Sequence, residues 1–331
     1  MKVIKSIIFF AAFGALFFSA CKKEGENIFN MFTDVEVTLH DTNPLSITGY
    51  KQVNDGDSVY IDYTITSKSQ DMYAACLLEV GTSSPTKTIL NDSQRRSYSG
   101  VIKMKATKAG KTSYRIYPLD KVGVYLGDGG KTVTIDVLPN ISYYNERFVR
   151  LPDSVTKEGQ CYVSLSTGEL FSYNQVMANP QLSGKIDFGI YRKFTPEVKN
   201  AQGQITSAAN YRFYLYSLSQ NPLPFTHFDI STWTKRATVF GARLTTGSTE
   251  FPKYTSGSTI EAVASKATIN QLGPIEIALI LPNGGTTPAP ASNSMVYFKT
   301  PEGKYGVLYL SSIGSNYKTG QYLVFQMKSQ K

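Results

Sequence analysis

The chain has 331 residues, 41% of them hydrophobic, and a formal net charge of +9 from 34 Lys+Arg against 25 Asp+Glu. That hydrophobic fraction supplies ample material for two cores, so disorder is not the default, and the length suits two globular domains. The basic residues are dispersed, with no run longer than Arg95-Arg96 or Lys235-Arg236, so no nucleic-acid partner is expected.

At the start, Lys2 and Lys5 precede an apolar and small-residue run from Ile7 to Phe18, followed by Ser19, Ala20 and Cys21. A basic start, about 7–15 apolar residues and small residues at the cut describe a secretory signal peptide. A spanning helix needs about 20 apolar residues. The charged Lys22-Lys23-Glu24 arrives too early for one.

Phe18-Ser19-Ala20-Cys21 resembles the lipobox of bacterial lipoproteins, with Phe18 where Leu is commoner. The resemblance implies cleavage before Cys21, a diacylglycerol on the Cys21 sulfur and acylation of the new amino group. The alternative is a plain thiol left by ordinary cleavage. Residues 1–20 are then a lipoprotein signal peptide, and 21–32 are the lipidated cysteine and its tether. Lys22 stands where an Asp commonly retains Gram-negative lipoproteins at the inner membrane. Its absence favours lipid anchoring in the outer membrane, on the periplasmic or the cell-surface face.

Residues 33–138 read as short strands separated by turns. Val35, Val37 and Leu39 alternate with polar residues, as do Val59, Ile61, Tyr63 and Ile65 after the turn Asn54–Asp57. Ile102, Met104 and Ala106 alternate with lysines, and Val133, Ile135 and Val137 close the segment. Period-two segments with turn punctuation predict an antiparallel β-sandwich. The stretch AGKTSYRIYPLDKVG followed by KTVTIDV resembles the last strands of immunoglobulin-like and PKD-like modules of bacterial surface proteins. Such modules are usually spacers.

Pro139-Asn140 is the expected boundary, and 141–331 reads as a second β-rich domain with minor helices, either sandwich-like, barrel-like or α+β. Cys161, Val163 and Leu165 precede a turn from which Leu170–Tyr173 pairs back. Ile186, Phe188 and Ile190 alternate, and 194–210 reads as a polar loop. Tyr211–Leu218 places Phe213 and Leu215 on one face and Arg212, Tyr214 and Tyr216 on the other. Helices are expected from Ser231 through Phe240 and from Thr259 to Lys266, the second behind a Ser258–Glu261 capping box. A loop over 282–293 and a three-strand meander complete the chain.

YVSLSTGELFSY followed by KIDFGIY resembles a stretch of uncharacterised surface lipoproteins of gut-type Gram-negative anaerobes, where it follows an immunoglobulin-like module. The resemblance implies a shared fold and the same cellular address. It carries no catalytic residue.

Nucleophilic triads need a histidine, and only His40 and His227 exist. No HExxH or CxxC occurs, so neither a metal site nor a cofactor is expected. Asp55-Gly56-Asp57 and Asp128-Gly129-Gly130 read as plain acidic turns. Asp187 and Glu276 lie in apolar strands and read as the polar face of a half-exposed sheet. No catalytic residue is assigned, and no enzyme is expected. Aromatic residues remain, because sugar rings stack their C–H faces on Trp and Tyr. Trp233, Tyr214 and Tyr216 are the named platform, with Tyr143-Tyr144 as a further one. The expected function is non-catalytic binding of glycan or another extracellular ligand, with a polysaccharide or an outer-membrane transporter as the expected partner. The alternatives are an adhesin or pilus-like subunit and, after that, a hydrolase.

Overall fold

The structure, a computed structural model, describes residues 34–280, 293–316 and 320–331. The leader, Cys21, its tether and most of the expected 282–293 loop lie outside them. Among the described residues no helix is long and apolar enough to cross a membrane.

The fold is mainly β, and the chain divides into two compact units. The first runs up to Lys51 and continues through Ser58–Met104 and Lys111–Ile135. The second comprises Gln52–Asp57, Lys105–Gly110 and Asp136–Lys331. Two turns of the expected 33–138 module therefore group with the second unit.

The N-terminal strands are β1 (Val35–His40), β2 (Tyr50–Asn54), β3 (Ser58–Ser67), β4 (Ala74–Glu79), β5 (Thr86–Ile89), β6 (Ser97–Lys105), β7 (Gly110–Leu119) and β8 (Lys131–Leu138). They form a three-stranded sheet, β1-β3-β6, and a five-stranded sheet, β2-β8-β7-β4-β5. The alternating apolar residues make the sandwich core. Val59, Ile61, Tyr63 and Ile65 of β3 are buried, as are Val133, Ile135 and Val137 of β8. Each strand supplies one apolar face, which is the physical content of the period-two pattern.

The second unit contains β9 (Ile141–Arg150), β10 (Gln160–Val163), β11 (Leu170–Ser172), β12 (Phe188–Thr195), β13 (Val198–Lys199), β14 (Ile205–Ser207) and β15 (Asn210–Ser217). It continues with β16 (Val239–Gly241), β17 (Ile269–Gln271), β18 (Ile275–Ile280), β19 (Ser294–Lys299), β20 (Tyr305–Asn316) and β21 (Gly320–Gln330). Its described residues also form three short α-helices, α1 (Tyr173–Ala178), α2 (Gly247–Glu250) and α3 (Gly257–Ala264).

A five-stranded sheet, β11-β10-β12-β15-β18, packs on a six-stranded one, β17-β16-β19-β20-β21-β9. Phe188 of the first sheet meets Phe240 and Phe325 of the second edge-on, each at 6.1 Å. That geometry suits ring quadrupoles. The C-terminal meander β19-β20-β21 is antiparallel throughout, as its turns predict. Cys76 and Cys161 are free, buried thiols. Burial pushes the Cys161 thiol up to about 12, which keeps it protonated.

Three local expectations change. Residues 194–210 are not a plain loop, because β12 runs on to Thr195 and β13 pairs with β14 in a hairpin. The expected helix from Ser231 to Phe240 is absent. There the Thr234 N–H donates to Ser183 Oγ and the Arg236 carbonyl accepts from Ser217 Oγ, so side chains of other segments hold these two backbone groups in place of helical partners. The second helix starts earlier than read, at Gly257 behind Ser256, whose Oγ accepts from the Thr259 N–H at 3.3 Å. Ser258 is instead held by Asp55, which accepts from its N–H at 2.7 Å and its hydroxyl at 2.5 Å.

Candidate functional site

Trp233 and Tyr216 are core residues, not an open platform. Tyr216 is 0% and Trp233 5% exposed. Tyr162, Gly189 and Tyr216 stand side by side across β10, β12 and β15, on the face turned away from Phe188. A Cβ on Gly189 would lie 2.5 Å from the Tyr216 ring, so the glycine is what lets that ring lie across β12. Trp233 closes over this face, edge-on to Tyr162 at 5.0 Å and stacked on Tyr173 of α1 at 5.6 Å. Sugar cannot reach a ring that other rings already cover. Tyr214 stays half-buried on the same face. It stacks on Tyr191 at 5.1 Å, and its cross-strand neighbour Glu276 pairs with Arg212 at 2.8 Å.

Asp187 is also misread by its alternation. It is fully buried, not on a half-exposed face. Its Oδ2 accepts from the Leu165 N–H at 2.7 Å, and its Oδ1 accepts from Arg236 Nε and Thr238 Oγ1, both at 2.8 Å. Arg236 then forks onto Glu302, in the β19–β20 turn, at 2.8 and 2.7 Å. Planar guanidinium and carboxylate match two donors to two acceptors. The Arg236 bonds hold the Glu302 carboxyl down at about 2 and raise the guanidinium further. Both carboxylate oxygens of Asp187 are taken by protein donors. This is an ionic fastening between distant chain segments.

His227 is exposed, and the adjacent Asp229 carboxylate accepts from the Ser231 N–H at 2.8 Å. His40 bonds Thr64 at 2.8 Å. Among the described residues no group of three or more His, Cys, Asp or Glu side chains could hold a metal ion.

One aromatic surface is concave. A groove of about 370 Å³ lies where the outer face of the six-stranded sheet meets the segment after α2. Tyr143 of the edge strand β9 stands directly across from Lys328 of β21. Ile141, two residues before Tyr143, and Gln326, two before Lys328, share that face by strand alternation. Phe251 and Tyr254 form the opposite wall. Phe251 packs on Tyr309 at 5.3 Å and on Tyr143 at 6.1 Å. Tyr143 itself is 50% exposed.

Local backbone geometry shapes this wall. Phe325 pairs with Arg147 and Met327 with Tyr144, so Asn145 and Glu146 together oppose Gln326. Such a bulge re-aims neighbouring side chains. Glu146 has φ 50°, in the left-handed region that favours glycine. The Tyr143 hydroxyl donates to Gln326 Oε1 at 3.0 Å. Desolvation, and then the Glu146 carboxylate, push its phenol above the ordinary value, so it remains a neutral donor. Lys328 Nζ donates to the carbonyls of Phe251 at 2.9 Å and Tyr254 at 2.8 Å. The groove thus offers one open ring, an apolar floor, an amide and an ammonium.

Of the aromatic residues named from sequence, Tyr143 is the one in this groove. The sequence alone does not single out Phe251, Gln326 or Lys328. The available signal was the alternation of QYLVFQMKSQ, which puts Gln326 and Lys328 on one face, but nothing in it names β9 as the partner strand.

No protein-family model matches the chain, and no curated protein matches it. Among solved structures, the chain is similar to a CARDB domain from Pyrococcus furiosus, crystallised in complex with di-metal ions. The TM-score is 0.22 and the identity 13%, over 33% of this chain and 92% of that one. It is also similar to a DUF4784 family protein from Bacteroides caccae, at TM-score 0.14 and 10% identity, over 88% of this chain and 70% of that one. The β-sandwich description rests on the sheets themselves.

Proposed function

We propose that this chain is a non-catalytic, lipid-anchored protein of the outer membrane whose second unit binds a glycan in the Tyr143–Phe251 groove. The observation that carries the binding reading is a concave aromatic wall with a half-exposed tyrosine and two polar groups converging on it. Small-molecule sites are concave and mostly apolar, with a few placed polar groups. A pyranose presents C–H edges for Tyr143 and hydroxyls for Gln326 and Thr255. The volume suits on the order of two hexose rings, at the small end of the range for ligand sites. The anchor rests on the Met1–Cys21 pattern, and service to an outer-membrane polysaccharide transporter rests on that address alone.

Strand addition, as in an adhesin or pilus-like subunit, has one feature in its favour. The nine-residue β6 lies at the edge of its sheet with Val101 exposed. Lys103 and Lys105 on the same strand are the charges that natural edges use against such pairing. The groove is therefore preferred.

A glycan array probed with the purified mature protein is expected to give hits that Tyr143→Ala weakens about tenfold or more, with an unchanged unfolding transition. A blank array, or hits indifferent to Tyr143→Ala, contradicts the reading.

A further inference from the structure

The groove lining carries a cation and no acid; the Glu146 carboxylate acts on the Tyr143 phenol from outside that lining. Lys328 Nζ sits 4.4 Å from the Phe251 ring centroid and 5.3 Å from that of Tyr143. An ammonium has three N–H donors. Two are spent on the Phe251 and Tyr254 carbonyls, and no described residue accepts the third. Ring faces attract a cation without neutralising it. The groove lining carries no acid, and Glu250, on the adjoining helix, is paired with Lys253 at 2.7 Å. Desolvation lowers the Lys328 pKa, so its charge is less well solvated here than at an open surface.

The two carbonyl bonds also fix where the ammonium stands. It is held across from Tyr143, 5.3 Å from that ring's centroid, within reach of an acid group on a sugar lying against the ring. A positioned, partly dehydrated cation lacking both a counter-ion and one acceptor is complementary to an anion.

We infer that the groove selects an acidic saccharide, with the acid group on Lys328 and the pyranose face on Tyr143. This rests on the glycan-binding reading above. Carboxylated and sulfated sugars share the required chemistry, and the test below separates them.

The test is calorimetric titration of the mature protein with trigalacturonic acid, with its methyl ester, and with sulfated and unsulfated forms of one galactose oligosaccharide. At least one acidic form should bind tenfold or more tighter than its neutral counterpart, and which one does so identifies the acid group. Raising salt from ~0.05 to ~0.5 M should weaken that acid and leave the neutral form unchanged. Lys328→Met should bring acid and neutral forms within about twofold of each other, because only the cation produces the difference. Loss of the ammonium also removes two backbone bonds, so the wild-type salt series stands as evidence independent of that variant's folding. Equal binding of acid and neutral forms, or a salt-insensitive preference, overturns the inference and leaves the glycan reading intact. Failure of all four sugars to bind, together with a blank array, removes both.

Discussion

Trp233→Ala is expected to destabilise the protein by about 3–5 kcal/mol, the range for removing a large buried aromatic. The indole is covered by Tyr162 and Tyr173, and its removal leaves a cavity between α1 and the outer face of the five-stranded sheet. Among the described residues its Nε1 has no hydrogen-bond partner. Trp233→Phe should therefore cost clearly less, since it keeps a ring and breaks no bond. Urea unfolding followed by tyrosine fluorescence measures both. Sugar binding per folded molecule should be unchanged in each variant. A loss below about 1 kcal/mol for Trp233→Ala, in the range of surface substitutions, would return the indole to the surface and reopen it as a platform.

Arg236→Ala is expected to be as damaging, by about 3–5 kcal/mol, because it strands a buried carboxylate. Asp187 would keep the Leu165 N–H and the Thr238 hydroxyl but lose its counter-ion. The same variant has an acid signature. Glu302 is depressed from 4.5 to about 2 by Arg236. A carboxyl depressed on folding is deprotonated in the native state while the unfolded chain takes up protons. Its stabilisation is complete above about pH 4.5 and is lost as pH falls toward 2. The wild-type protein should therefore lose stability across that window. In Arg236→Ala the Glu302 share of the loss should vanish. Half of the Glu302 side chain is exposed, so solvent screening keeps this share small. Urea midpoints from pH 6 down to pH 2.5 give both results. A midpoint unchanged at pH 6, or acid limbs that superimpose, would show that the fastening carries no load.

Alternation made the strands legible because each one has a single buried face. β3, β8, β12 and β15 lie where period two puts them. Side chains that depend on register between distant strands were not legible. Tyr216 looks like an outward residue of β15 until Gly189 of β12 is placed beside it and Trp233 above. Trp233 sits among Ser231, Thr232, Thr234 and Lys235, which disguises it as a surface residue. Asp187 alternates correctly with Phe188, but its face is covered, and only Arg236 and Thr238, about fifty residues on, show what holds it. The α3 start was misplaced because Ser256 and Ser258 are equally good caps locally, and Asp55 settles the choice. The groove was half legible. Tyr143 is visible as an aromatic on a strand, whereas its facing Lys328 is set by a pairing that closes the sheet at the end of the chain.

Hydrogen–deuterium exchange of the mature protein, with and without a saturating array-selected saccharide, tests the location of the site most directly. Protection is expected in three separated segments, 141–146, 251–255 and 325–328, which the fold brings to one wall. Protection confined to the Tyr191–Tyr214 face, or none anywhere with the sugar bound, would contradict the groove as the binding site.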